Sequence, residues 1–348
     1  MDQDSTPLRV AVVGAGAFGR NHLRVYRGLQ QAGYPVELAA VIDPNDAART
    51  AAETQYGVPG FATIEACLVA ARLDAASICA PTLHHAACAR TLMAAGIDLL
   101  IEKPLAPTLA EADEIVQLAR EHGRIVQVGH LERFNPAVRA VHALLNRPMF
   151  FEVHRLSVFT PRSLDVDVVL DLMIHDLDIV MKLVGEPVRE VRAVGLPVLS
   201  PKVDIANVRL EFENGCVANF TASRVSTERV RKMRFFQPHQ YLSLDFARQD
   251  LLMIDVTAAA GLDLSQLAAL AAAAAATGPG AHPSPGMAIR KVPVEAGEPL
   301  RLEIAAFLDS LRTRAQPVVT VEDGRAALAL ALEINAAIAT HLVRAGLG

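Results

Sequence analysis

Short apolar runs alternate with longer segments of helical period along the N-terminal part of the chain. Leu8–Val13 (LRVAVV) ends at Gly14, and a helical pattern carrying Phe18, Leu23, Val25 and Leu29 follows and closes at Gly33. Val36–Ile42 reads as a second strand and Asn45–Tyr56 as a second helix. Ala75–Ala80, Leu99–Ile101 and Ile125–Val128 are further buried-strand runs. Between them, around Thr63–Ala71, His84–Ala95 and Leu109–His122, the period is helical, and Thr108 with Glu111 forms a capping-box signature. Strict strand–helix alternation predicts a parallel sheet with helices on both faces.

After Val128 the pattern changes. A helix is expected from Pro136, a residue suited to the first helical position, and another from Asp165 to Val184, stopped by Gly185. Alternating strands follow one another at Val188–Val194, Ile205–Phe212, Val217–Ser223, Arg229–Phe236 and Tyr241–Phe246. Two helices close the chain, Arg301–Arg314 and Glu322–Arg344, the second opened by Thr320 and Asp323. The predicted fold is a doubly wound α/β Rossmann domain over residues 1–128. A second α+β domain with an open, mainly antiparallel sheet takes up 129–348, its final helix able to pack back on the first.

Composition narrows the class of function. A chain of 348 residues that is 52% hydrophobic and 20% charged is globular and too long for one core. A net charge of −5 gives no reason to expect a polyanion partner such as nucleic acid. Cys67, Cys79, Cys88 and Cys216 show no paired spacing and read as reduced core thiols of a cytoplasmic protein. The acidic, polar start is no signal peptide. The alanine-rich stretch Ala258–Thr277 contains Asp263, Ser265 and Gln266, so it reads as an amphipathic or flexible helix and not a membrane span, with Gly278–Gly286 as a loop. The expected partner is therefore a small molecule, with no membrane and no metal.

Gly14-Ala-Gly16-Ala17-Phe18-Gly19 is a GxGxxG fingerprint between a strand and a helix, the context in which it cradles a pyrophosphate. Asp43 ends the second strand, where a carboxylate takes ribose hydroxyls and repels a 2′-phosphate; no arginine follows immediately, which favours NAD over NADP. The competing reading is that Asp43 caps the next helix. Glu102-Lys103-Pro104 follows a buried parallel strand, and Pro104 biases Lys103 to project from the strand end. Beside a nicotinamide cation such a lysine can have a lowered pKa; otherwise it is a solvated surface residue. In the helix that ends at Val184, Asp167, Asp171, His175 and Asp178 recur about one turn apart. Asp171 and His175 suit an acid supporting a basic imidazole, against the alternative of an exposed acidic face. Arg133 and Asn135 at the domain junction are candidate substrate ligands. So are Arg231 and Tyr241 among the cations and aromatics of Arg229–Tyr241, although Arg229 and Arg231 share one strand face and Lys232 and Arg234 the other.

Together with Pro81-Thr82-Leu-His-His85, these motifs resemble the Gfo/Idh/MocA family of NAD(P)-dependent sugar and cyclitol dehydrogenases over nearly the whole chain. The resemblance implies that Lys103, Asp171 and His175 are catalytic. It places Gly14, Gly16, Ala17, Phe18, Gly19, Asp43, Pro81, Thr82, His85, Glu102 and Lys103 around NAD. It also implies a homodimer or homotetramer formed through the second-domain sheet. Met173 stands where the family often has glycine. The segments Gly129–Pro136, Asp171–Asp178 and Phe236–Asp245 are similar to the family's nucleotide-sugar branch, whose substrate is a UDP-linked N-acetyl sugar on the way to lipid A. The alternatives are a free-sugar or inositol dehydrogenase of the same family and a non-catalytic NAD-binding regulator, which would have no need of the Lys103 and His175 pair.

Overall fold

The computed structural model describes residues 6–159, 166–256, 261–275 and 288–347. The elements run β1 (Leu8–Val13), α1 (Ala17–Gln31), β2 (Val36–Ile42), α2 (Asp46–Tyr56), β3 (Gly60–Phe61), α3 (Ile64–Ala70), β4 (Ala75–Ile78), α4 (His85–Ala94), β5 (Asp98–Glu102), α5 (Leu109–Glu121) and β6 (Val126–Gly129). They continue with α6 (Pro136–Val141), β7 (Phe150–Val158), α7 (Ile174–Val184), β8 (Val188–Leu196), β9 (Ile205–Phe212), β10 (Val217–Ser226), β11 (Val230–Gln237), β12 (Gln240–Asp245), β13 (Asp250–Asp255), α8 (Leu264–Ala275), β14 (Ala288–Val292), α9 (Pro299–Thr313) and α10 (Val321–Arg344). Two compact units result, Met1–Phe134 with Gly297–Leu330, and Asn135–Ala296 with Ala331–Gly348.

The first unit is a six-stranded sheet in the order β3-β2-β1-β4-β5-β6, every pair parallel. Val10, Ala11, Val12, Leu99 and Leu100 are fully buried, as strands covered on both faces must be. The short β3 is an addition to the sequence reading; two residues carry too little pattern to be read. α9 belongs to this unit although it lies far along the chain. Its Ile304, Phe307, Leu308 and Leu311 recur at three- and four-residue spacing and join Val10, Leu23, Tyr26 and Leu29 in one core. The return of that helix is why the compact units do not follow the linear division 1–128 and 129–348. Helix starts follow side-chain chemistry. Thr63 accepts the Ala66 N–H at 3.2 Å, and Thr320 and Asp323 cap each other reciprocally at 3.0 and 3.2 Å.

The second unit holds an eight-stranded sheet in the order β14-β13-β12-β11-β7-β10-β9-β8. All its pairings are antiparallel except β7 with β10. β7, at the centre, escaped the sequence reading, as did β13 and β14. Along β7 the inward positions are Phe151, Val153 and Arg155, and a buried arginine breaks the apolar alternation by which a strand is recognised. On the inner face the Phe151 and Phe235 rings stack at 5.1 Å. Of the expected helix Asp165–Val184, residue 165 lies outside the described residues. The remainder opens with a π-helical turn, Val169–Met173, before α7. The expected loop Gly278–Gly286 also lies outside the described residues, while α8 makes much of the alanine-rich stretch helical. Among the described residues α10 is the one helix long and apolar enough to cross a membrane. It carries a buried stripe of Ala327, Leu328, Ala331, Ile334 and Ile338, the period of an amphipathic helix packed on protein.

The approach to the π turn is fixed by Asp204, which is fully buried. Its carboxylate accepts N–H bonds from Val198, Leu199 and Ser200 at 2.8, 2.6 and 2.8 Å, and the Ser200 hydroxyl at 2.7 Å. Arg224, 3.6 Å from it, also donates to the Val166 carbonyl, and the Val168 N–H reaches the Val203 carbonyl at 2.9 Å. Burial raises the Asp204 pKa, but the hydrogen bonds outweigh it and hold the group at about 2 against an ordinary 3.8. A carboxyl depressed in the folded state stabilises above its unfolded pKa, and that stability is lost as pH falls toward the folded value. The shift corresponds to about 2 kcal/mol. Denaturant unfolding of the wild type and Asp204→Asn, compared from about pH 5 to about pH 2, is expected to show the wild type losing that much more stability than the variant. Parallel acid profiles would show that Asp204 does not hold this corner.

Candidate active site

The phosphate loop is shaped by what its glycines lack. Gly14 has φ +97, and a Cβ there would lie 2.8 Å from the Cys79 carbonyl. At Gly19 a Cβ would sit 1.7 Å from the Gly14 oxygen, so the loop closes onto α1 only with glycine. Gly16 has nothing within 4 Å of its Cβ position and lines a cleft of about 700 Å³ with Ala17, Phe18, Asp43 and Pro81. No side chain caps α1, so its first N–H groups and the positive dipole end are available to an anion. The cradle thus fits a dinucleotide pyrophosphate. Asp43 does not cap α2; Asn45 does, accepting the Ala48 N–H at 2.9 Å. The Asp43 carboxylate instead takes the N–H of Ala15 in the glycine loop at 2.6 Å and that of Asn45 at 2.8 Å. It stands at the cleft wall where ribose hydroxyls would meet it.

The strand ends on the other side of the cleft are tied together by buried histidines. His85 is buried, with Nε2 2.9 Å from the Ala80 carbonyl and Nδ1 3.1 Å from that of Pro104. Burial lowers its pKa below the usual value, against the opposing pull of those carbonyls. It holds the loop after Lys103 to the end of β4, and its neighbour His84 lines the cleft in its stead, with Thr82 opening the turn between them. Glu102 is equally buried. One carboxylate oxygen lies 2.9 Å from His22 Nε2, and the other accepts the Lys103 N–H at 3.3 Å. Lys103 is half-buried at the end of β5. His22 was missed in the sequence; the available signal was a titratable residue in line with Tyr26 on the apolar face of α1. All four cysteines are free, and burial pushes the thiols of Cys79 and Cys88 at the cleft upward, so neither is a thiolate at neutral pH.

The second unit carries Asp171 and His175. Asp171 lies inside the π turn, whose extra residue re-phases the helix, a feature often found at functional sites. The expected four-membered polar face is therefore not continuous. Asp167 is spent as a helix cap, accepting the N–H groups of Val169 and Leu170 at 2.9 and 3.0 Å, and Asn335 holds its other oxygen at 3.0 Å. Asp171 is half-buried, while His175 and Asp178 are buried. Met173, where the family often has glycine, points its bulk into the core at 1% exposure. Next to His175, Asp176 receives Arg155 in a bidentate pair at 2.7 and 2.7 Å, anchoring α7 to the sheet; the sequence reading contained neither partner.

The expected substrate residues do not stay together. Arg133 is buried in the first unit, 3.7 Å from Asp323. Asn135 is committed to structure, its oxygen capping α6 at Ala137 and its nitrogen donating to the Phe246 carbonyl at 3.0 Å. Arg231 and Tyr241 lie on opposite faces of one sheet. Arg231 is in register with the inward Arg155, whereas Tyr241 faces Phe236, 4.9 Å away on the outer face. One site cannot take both.

Residues 8–130 match the oxidoreductase family with an NAD-binding Rossmann fold, and residues 137–237 match the GFO/IDH/MocA C-terminal domain. UDP-N-acetylglucosamine 3-dehydrogenase of Acidithiobacillus ferrooxidans is 36% identical over 340 residues, 97% of this chain and 99% of that one. Its solved structure matches with a TM-score of 0.82 at 32% identity, covering 95% of this chain and 98% of the other. An oxidoreductase of Agrobacterium radiobacter in complex with NAD shares the fold, with a TM-score of 0.78 at 17% identity and coverage of 96% and 97%. With its cradle for a dinucleotide and both family domains in order, the chain belongs to the Gfo/Idh/MocA family of NAD-dependent oxidoreductases.

Proposed function

We propose that the chain oxidises the C3 hydroxyl of UDP-N-acetylglucosamine to a ketone, with NAD as hydride acceptor, as a cytoplasmic step toward lipid A. The observation that carries this reading is the end-to-end similarity to the Acidithiobacillus ferrooxidans enzyme of that name, at 36% identity. In this reaction the carbon–hydrogen bond at C3 breaks with its electron pair, and the hydroxyl proton must leave on a base. His175 takes that proton, and Asp171, one turn away, stabilises the imidazolium that forms. Lys103 hydrogen-bonds the oxygen as negative charge develops on it. The phosphate loop, Asp43 and Glu102 at the end of β5 hold the cofactor, and the adjoining Lys103 side chain serves the substrate oxygen. Arg133, Arg231 and Tyr241 are candidates for the nucleotide half of the substrate, and the faces of their sheet mean that Arg231 and Tyr241 cannot both serve.

The reading includes a homo-oligomer built on the open sheet of the second unit. On its outer face Phe236, Leu252 and Ile289 are 40, 36 and 41% exposed, and Phe150 and Tyr241 flank Phe236. A contiguous apolar patch of this kind marks an interaction surface.

Lys103→Ala and His175→Ala are expected to keep NADH binding by fluorescence titration and to lower kcat by about a hundred- to ten-thousand-fold, the usual worth of a general acid or base. Asp171→Asn should cost less, because it removes support and leaves the base. Near wild-type turnover in either alanine variant removes that residue from the mechanism. In an assay following absorbance of the reduced nicotinamide, UDP-N-acetylglucosamine should drive NADH formation, and free N-acetylglucosamine should do so poorly. Added salt should erode that preference if cations hold the diphosphate. Efficient oxidation of free inositol or glucose, with no response to any UDP-sugar, would contradict the assignment while leaving the family intact.

A further inference from the structure

The parallel sheet of the first unit also opens a cavity at the edge opposite the cofactor cleft. The cleft takes Gly14, Asp43 and Cys79 from the carboxyl ends of the strands. The other cavity, of about 570 Å³, lies where strands begin, between Leu8 and Arg9 of β1, Arg72 and Asp74 before β4, and Arg312 in the last turn of α9. The length of β1, Leu8–Val13, separates the two by roughly 17 Å at about 3.3 Å per residue.

Among the described residues that line it, three guanidiniums meet one carboxylate, and that carboxylate is largely spent. Asp74 Oδ2 accepts the Arg9 N–H at 2.8 Å, and the Asp74 N–H returns to the Arg9 carbonyl at 2.8 Å. Arg72 is 84% exposed and 3.7 Å from the other Asp74 oxygen, beyond hydrogen-bond distance. Arg9 pairs with Glu37 at 3.4 Å, where both side chains are wet and the attraction is weak. Its Nε is nevertheless buried, with no hydrogen-bond partner among the described residues. Arg312 is half-buried and donates to the Pro35 carbonyl, which steadies its fork at the cavity wall.

Helix ends account for part of this charge. Arg312 lies in the last turn of α9 and Arg72 two residues past α3, where cations answer the negative end of the helix dipole. Arg9 is on a strand and answers no helix. The next corner of the same edge is different. There Asp98, at the start of β5, pairs with Arg314 and accepts the Ile125 N–H at 2.8 Å, while Arg314 also donates to the Gly123 carbonyl at 3.2 Å. Acid, arginine and loop carbonyl close that corner on themselves. At β1 and β4 the cations outnumber the acid and face a space.

We propose that this cavity binds a phosphorylated small molecule, its phosphate held by Arg9, Arg72 and Arg312. Guanidinium forks give phosphate oxygens paired, charge-assisted bonds, and a dianion balances the excess of positive charge. The volume lies in the range of ligand pockets and exceeds what a lone phosphate fills, which leaves room for an organic part beside Leu8. The site is separate from the cofactor cleft and takes no part in hydride transfer.

The test is calorimetric titration of the full chain, saturated with NADH so that the glycine loop is filled, with glucose 6-phosphate, inorganic phosphate and glucose as probes. Glucose 6-phosphate should bind once per chain, inorganic phosphate more weakly, and glucose not at all. Added salt should weaken the binding. Arg312→Met should raise the glucose 6-phosphate Kd by about tenfold or more, the worth of a charge-assisted hydrogen bond. Arg72→Glu reverses a charge at an exposed position that the fold does not need. It should raise the Kd at least as far, and it decides the matter if Arg312→Met does not fold. NADH affinity should be unchanged in both variants. No saturable binding of glucose 6-phosphate to the wild type overturns the site. So does equal binding by the wild type and the variants, which would leave the arginines as counter-charges to helix ends. Because no turnover is read, a failed sugar oxidation leaves this result standing.

Discussion

The first unit depends on two backbones touching where a side chain would not fit. The Gly14 carbonyl lies where a Cβ on Gly19 would be, so the chain can turn from β1 into α1 within the glycine loop and leave the helix N-terminus open to the cleft. The lining of the cleft is referred to that turn. Asp43 binds the loop at Ala15 and so ties the end of β2 to the glycine loop. One turn into α1, His22 reaches the buried Glu102, and Glu102 in turn holds the Lys103 backbone. A buried carboxylate without such partners would cost several kcal/mol or take up a proton. The histidine thus lets the strand carry an acid into the interior and deliver the lysine at its end.

The second unit meets the same difficulty, charge inside a core, with a different geometry. The Arg155–Asp176 pair joins the central strand to α7, and Asp204 with Arg224 fixes the chain just before the π turn. Between these two buried clusters Asp171 lies in the π turn and His175 in the first turn of α7 that follows it. Buried pairs of this kind add little net stability compared with apolar packing. Their effect here is positional, since they set where the helix begins and which residue faces the sheet.

What the sequence reveals follows from how each feature is encoded. The parallel sheet is legible because its strands are continuous apolar runs, and the glycine loop because its spacing is dictated by backbone contact. The capping boxes at Thr108 and Thr320 are legible because the cap and its partner lie three residues apart. Features that need a distant partner are not. β7 hides behind Arg155, an inward arginine that makes sense only with Asp176 across the core. The π turn has no local signature, so a straight helix was expected and Asp167 was grouped with residues it does not accompany. Asn135 looked like a ligand because nothing nearby in the chain announces that it caps α6 and binds the Phe246 carbonyl.

The central claim is that the bond broken is the carbon–hydrogen bond at C3 of a UDP-linked N-acetylglucosamine. UDP-N-acetylglucosamine carrying deuterium at C3 tests it directly, with mass spectrometry of the nicotinamide and the sugar after reaction with NAD. The account predicts that the deuterium appears in the reduced nicotinamide, that the sugar loses it, and that turnover is no faster than with the unlabelled substrate. Reduced nicotinamide without deuterium, formed while the sugar keeps its label, would place the oxidation at another carbon and contradict the account.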